Sequence, residues 1–158
     1  MTKLFKKINN RGITILPIVM VLGIIALAVA VGILAVSFNE SLTSQGLSQS
    51  SRALFNAEAG ARDALTRIAR NKNYVCSSTD CYSLDITANG CSLLSDCAKI
   101  SVSAGLGTTG DPKIIVSKGI VKSSTRRMQV SVVLDGGTTD PTVQFGVVTS
   151  AVWTELTN

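Results

Sequence analysis

Hydrophobic and polar positions divide the chain into three regimes. From Ile13 to Val36 runs an uncharged block of 24 residues in which Thr14 is the one strongly polar side chain. At roughly 1.5 Å per residue, a helix of that length reaches about 36 Å, whereas about 20 apolar residues cross a bilayer core. From Ser37 to Lys72 the pattern becomes periodic. Leu54, Ala57, Ala61, Leu65 and Ile68 recur at spacings of 3, 4, 4 and 3, which is one apolar stripe of an amphipathic helix. Arg52, Glu58, Arg62, Asp63 and Arg70 fall mostly off that stripe, and the spacing predicts a Glu58–Arg62 pair. No proline follows Pro17 in this region, so span and amphipathic helix are expected to be one element, with Gly46 and the serines of 41–51 as its weak stretch. Asn71-Lys-Asn73 supplies a stop.

Beyond residue 73 the period shortens to two. Leu84-Asp-Ile-Thr87 is a short strand candidate. Ile100 and Val102 alternate with Lys99, Ser101 and Ser103, and Ile114 to Val121 is β-rich. Met128, Val130, Val132 and Leu134 share one face, with Arg127, Gln129 and Ser131 on the other. Val143, Phe145, Val147, Ala151 and Trp153 form a last apolar face. Gly105–Pro112, Ser123–Thr125 and Asp135–Pro141 carry turn chemistry. The expected fold is α+β: a long N-terminal helix, membrane half plus amphipathic half, packed on a small antiparallel β-sheet head. Its parts are residues 1–12, 13–36, 37–72 and a head at 73–158 with a cysteine-rich loop at 76–97.

Charge changes the reading of the first 12 residues. Lys3, Lys6, Lys7 and Arg11 precede the apolar block with no acid among them, which orients a span with its N-terminus in the cytoplasm and its head outside. The formal net charge is +5; without those four, 11 basic residues (15 − 4) face 10 acids, leaving +1. The basic character therefore concerns membrane orientation more than nucleic acid. A cleaved secretory signal is the rival, with Ala35-Val36-Ser37 as its cleavage site, but such a signal has an apolar region of only about 7–15 residues.

The order basic leader, Arg11-Gly12, Ile13-Thr-Ile-Leu16, long apolar helix resembles the class III signal of type IV pilins and pseudopilins. The resemblance implies prepilin peptidase cleavage between Gly12 and Ile13, with the apolar segment kept as the mature N-terminus. Arg52-Ala-Leu-Phe-Asn-Ala-Glu-Ala-Gly-Ala-Arg-Asp-Ala-Leu65 is similar to a stretch of PilX-like pilus-assembly proteins. The fold it implies is pilin-like, with residues 74–97 as the variable loop between helix and sheet. One position departs from the family. Most members carry glutamate at the fifth mature residue, and here that residue is Pro17. Its absence resembles PilX-like and K-type minor pilins, placed at or near a filament tip, and argues against a bulk filament role.

Four cysteines, Cys76, Cys81, Cys91 and Cys97, cluster on the side of the span assigned to the outside. An even number in an oxidising compartment reads as two disulfides. Three connectivities exist, of which Cys76–Cys81 with Cys91–Cys97 closes the shortest loops. A four-cysteine zinc site is the rival, but its paired C-x-x-C knuckles are missing. The chain holds no histidine, P-loop, GxGxxG or GxSxG, so no enzyme and no cofactor is expected. Asp111 and Asp140 stand in Gly/Thr-rich turns, far short of a calcium loop. Lys113, Lys118, Lys122, Arg126 and Arg127 form a basic run, with Lys122, Arg126 and Arg127 as candidate nucleic-acid contacts. A solvated sheet face or edge is the plainer reading, since no aromatics interleave with it.

The expectation is a structural subunit, a minor pilin or pseudopilin of a type IV pilus-like or type II secretion-like filament. Its implied partners are other pilin subunits through the N-terminal helix, prepilin peptidase, the inner-membrane assembly platform and membrane lipid. The alternative is a single-pass anchored binding module, an adhesin or a DNA-uptake pilin that meets nucleic acid.

Overall fold

The structure, a computed structural model, describes residues 15–136 and 144–157. The leader, Gly12, Ile13, Asp140 and Val143 lie outside the described residues. The chain divides into two units, Met1–Ser44 and Gln45–Asn158. The first helix, α1, runs Ile15–Arg70, through the Gly46 and serine stretch without a break. One back-bond of the kind that serine and threonine make within helices, from Thr43 Oγ1 to the Asn39 carbonyl, stands there at 2.9 Å.

In the first unit every described side chain from Pro17 to Ser44 is exposed. Pro17 falls in the first turn of α1 as bounded, where an N–H has no intrahelical partner and proline costs little.

In the second unit, five strands follow the helix: β1 (Tyr82–Asp85), β2 (Cys97–Val102), β3 (Lys113–Val121), β4 (Ser124–Leu134) and β5 (Val148–Leu156). A short helix, α2 (Gly90–Leu93), sits between β1 and β2. The sheet order is β1-β2-β3-β4-β5 and each neighbouring pair is antiparallel, a plain meander. One sheet face packs on the second half of α1. Ala61, Ala64 and Ile68 meet Ala98, Ile100, Val102, Ile115, Val130, Val132 and Leu134 in a single buried cluster. The α+β layout expected from the pattern is the one observed.

The buried stripe of the helix is shifted from the expected one. Ala53, Ala57, Ala61, Ala64 and Ile68 are fully buried, whereas Leu54 and Leu65 are only half-buried. The cause is close approach. A Cβ on Gly119 would lie 1.9 Å from the Ala53 carbonyl oxygen, and one on Gly60 would lie 2.5 Å from Ser117 Oγ. Helix and sheet touch through glycine and alanine, so the leucines sit at the rim.

Two other expectations shift. The turn placed at Ser123–Thr125 is the two-residue link Lys122-Ser123, since Ser124 pairs with Val121 and Thr125 with Ile120. Lys122 takes a left-handed φ of 52° there. The last strand begins at Val148, so Phe145 and Val147 lie outside it and are exposed. The backbone of 144–147 instead closes the end of α1: Gly146 N–H donates to the Ala69 carbonyl at 3.0 Å, and Lys72 N–H to the Gln144 carbonyl at 3.1 Å. Helix-end carbonyls need such donors, and a side chain at position 146 would press on the Ile68 carbonyl.

Candidate functional site

Three features stand out against this frame. The first is the apolar half of α1. Pro17–Val36 comprises 20 residues, about 30 Å of helix, which matches a bilayer core. Ile18, Val19, Met20, Val21 and Leu22 are each more than half exposed, and so are Ile24, Ile25, Leu27, Ile33 and Leu34. Among the described residues this is the one helix long and apolar enough to cross a membrane. An apolar surface of this extent is covered by lipid or by other protein. Gly23 has open space where a Cβ would stand, and with Ala26 and Ala30 on the same helix face it leaves room for another helix to come close.

The second feature is the cysteine-bracketed loop. Two disulfides, Cys76–Cys81 and Cys91–Cys97, close its ends, the two short loops favoured by spacing. An isolated bridge pins the first: Cys76 N–H donates to the Val102 carbonyl at 3.0 Å and Val102 N–H returns the bond at 2.8 Å. The Cys91 N–H donates to Asp85 Oδ1 at 2.6 Å. Asp96, just before the last cysteine, ties the loop to the helix. Arg52 donates to its Oδ2 at 2.7 Å and Asn56 Nδ2 to its Oδ1 at 3.3 Å. The sequence signal for Asp96 was absent, because its partners lie 44 and 40 residues away.

The third feature is the distribution of the basic residues, which the fold sorts by strand parity. Lys113 lies on the helix-facing side, buried, with its Nζ donating to the Tyr74 carbonyl at 3.3 Å. Burial pushes its ammonium below the usual lysine range, with Asp111 working the other way. Arg126 also lies on the helix-facing side, opposite Gly119. It donates to Ser50 Oγ at 2.8 Å and to Glu155 Oε1 at 3.1 Å. Lys122 is in the β3–β4 turn, where its N–H donates to the Leu94 carbonyl at 2.7 Å. Arg127 faces the opposite side of the sheet, level with Lys118. The three candidate nucleic-acid contacts, Lys122, Arg126 and Arg127, therefore do not share one face.

The strand register brings in a residue outside that run. Lys99 on β2 pairs with Lys118 on β3, which pairs with Arg127 on β4. The alternation of Lys99 with Ile100 and Val102 places it on the outer face, but its neighbours depend on long-range register. The row lines a groove of about 230 Å³ with Ser77, Thr79, Asp80, Ser101, Val116 and Leu156.

Aromatic residues gather elsewhere, at the helix end. Tyr74 and Tyr82 meet edge to face at 6.4 Å, and the Arg67 guanidinium lies 4.4 Å from the Tyr82 ring centre. Asp63 holds Arg67 at 2.7 Å and raises its pKa further above the ordinary value. Burial pushes the Tyr82 phenol up, with the Asp63 carboxylate adding to the shift. Among the described residues its hydroxyl makes no hydrogen bond within bonding geometry. Glu58 and Arg62 form the expected helix pair at 3.1 Å, and Arg62 also covers Trp153 at 5.8 Å.

The turn acid Asp111 does backbone work. Asp111 Oδ2 accepts from the Leu106 N–H at 3.0 Å inside its own turn. Among the described residues no group of three or more histidines, cysteines or acids converges as a metal set would. Comparison with family models, with curated proteins and with solved structures gives no match.

Proposed function

We propose that the chain is a minor pilin or pseudopilin, a structural subunit of a type IV pilus-like or type II secretion-like filament. The observation that carries the reading is α1 itself. One helix holds an exposed apolar half of bilayer length and a small-residue half buried on an antiparallel sheet. That division suits a subunit stored in a membrane and then packed through the same helix among its neighbours.

The leader supports the rest. Four basic residues ahead of Ile13 keep the N-terminus inside and the head out, and two disulfides suit an oxidising compartment. Prepilin peptidase would cut between Gly12 and Ile13, and the assembly platform would then receive the mature helix. Pro17 offers no carboxylate to neutralise a neighbour's amino terminus, which favours a rare or tip-proximal position over bulk polymer. The split of Lys122, Arg126 and Arg127 across the sheet gives a DNA-uptake role little footing. Mass spectrometry of the chain recovered from membranes of a host with a prepilin peptidase tests the reading. A mature N-terminus at Ile13 is the expected result, and a retained leader or any other start refutes it.

A further inference from the structure

We propose that the row Lys99–Lys118–Arg127 on the outer sheet face is a binding site for a tetrahedral oxyanion, a phosphate group in the first instance. The row is a product of register. Each member stands directly opposite the next across β2, β3 and β4, with Ser83 of β1 and Leu156 of β5 continuing it at either end. Like charges directly opposite one another destabilise a strand pair, and here two such pairs are adjacent. Lysines that discourage aggregation belong on edge strands, and these three cations stand on the interior strands of the sheet.

The local balance is unequal. Asp80 reaches Lys99 at 3.6 Å, while among the described residues Lys118 and Arg127 have no acidic partner. Three cations against that one acid leave +2 in the groove. The Cys76–Cys81 disulfide holds the segment bearing Ser77, Thr79 and Asp80 over the row. The groove thus adds hydroxyl donors from Ser77, Thr79 and Ser101 to the cations.

Size and lining choose the ligand. A pocket for a drug-sized molecule has about 300–1,000 Å³, so a groove of about 230 Å³ takes one anionic group and its waters. The planar fork of Arg127 suits two oxygens of a tetrahedral anion, and Lys99 and Lys118 act as point charges beside it. Among the described residues no aromatic ring lines the groove, which argues against stacked bases. The site does not depend on the filament reading.

The test is calorimetric titration of the full chain in neutral detergent with inorganic phosphate, at ionic strength held constant with chloride. Saturable binding at one site per chain is expected. Lys118→Gln and Arg127→Gln should each weaken it roughly tenfold, while Arg70→Gln, an exposed cation at the helix end, should leave it within about twofold. Without phosphate, both row variants should melt at or above the wild-type temperature, because the repulsion is relieved; this separates lost binding from lost folding. Glycerol phosphate binding as well as phosphate assigns the site to a phosphate carried on a larger molecule, and phosphate alone assigns it to the free anion. No saturable binding by the wild type at tens of millimolar, or equal losses in Arg70→Gln, overturns the proposal. A single-stranded oligonucleotide that binds far tighter than phosphate and weakens with Lys122→Gln and Arg126→Gln overturns it too, in favour of an extended nucleic-acid surface.

Discussion

Gly119 is where helix and sheet come closest. Its missing Cβ would stand 1.9 Å from the Ala53 carbonyl oxygen and 2.5 Å from the Ala57 nitrogen, both of them backbone atoms that no rotamer change can move. Gly119→Ala should therefore cost about 3 kcal/mol, the upper end for overpacking, because the helix itself must shift. Urea unfolding of the variant beside the wild type measures it; a loss below about 0.5 kcal/mol, the usual level for a surface change, would show that the contact is not tight. Tyr82 makes a different demand. Its phenol is raised above the ordinary 10.0 by burial. The unfolded chain releases this proton first as pH climbs, so the folded state loses stability from about pH 10 upward. Tyr82→Phe removes that loss. Its stability relative to wild type should rise as pH passes 10.0, read by thermal melts across the alkaline range. Lys113 acts with the opposite sign: its lowered pKa makes stability rise with pH up to the ordinary 10.5. The comparison must accordingly be between variants at one pH, where the Lys113 contribution cancels.

At the scale of elements, the loop between helix and sheet depends on its two staples. Each disulfide closes a loop with a sequence separation of 5 or 6, worth about 2 kcal/mol on the chain-entropy account. They should not cost the same to remove. Cys76 and Cys81 are half-buried, so replacing both by serine should cost about that amount. Cys97 is fully buried in the sheet, so Cys91→Ser with Cys97→Ser adds a buried hydroxyl and should cost roughly 1–3 kcal/mol more. Denaturant midpoints of the two double variants give the order, and equal losses would mean that the buried site relaxes freely. The elements were largely legible in the pattern. Alternation at Met128, Val130, Val132 and Leu134 marked β4 because the sheet has one buried face. The stripe on α1 was misplaced for a physical reason: hydrophobicity ranks Leu54 and Leu65 above Ala53 and Ala64, while the close approach at Gly60 and Gly119 selects the smaller side chains. Likewise Lys113 and Lys118 look alike in sequence, and parity buries one and leaves the other half-buried on the outer face. The grouping of Lys99 with Lys118 and Arg127 needed register across three strands, which local pattern does not carry.

For the whole molecule, two requirements meet on one chain. The head carries the disulfides Cys76–Cys81 and Cys91–Cys97, which favour an oxidising compartment, and Lys3, Lys6, Lys7 and Arg11 ahead of the apolar block are basic residues of the kind that resist crossing a membrane. Both are met if the apolar half of α1 spans the bilayer with the leader inside and the head out. Thiol alkylation of the membrane-inserted chain tests this arrangement directly. Without prior reduction, none of the four cysteines should take label; after reduction, all four should. Replacing Lys3, Lys6, Lys7 and Arg11 with glutamine weakens the orientation signal, so a fraction of chains should invert, leave the head in the reducing cytoplasm and become labelled without reduction. Full labelling of the wild-type chain from intact cells would place the head inside and refute the arrangement. Protection in both wild type and variant would keep the head outside but remove the leader charges as the reason for it.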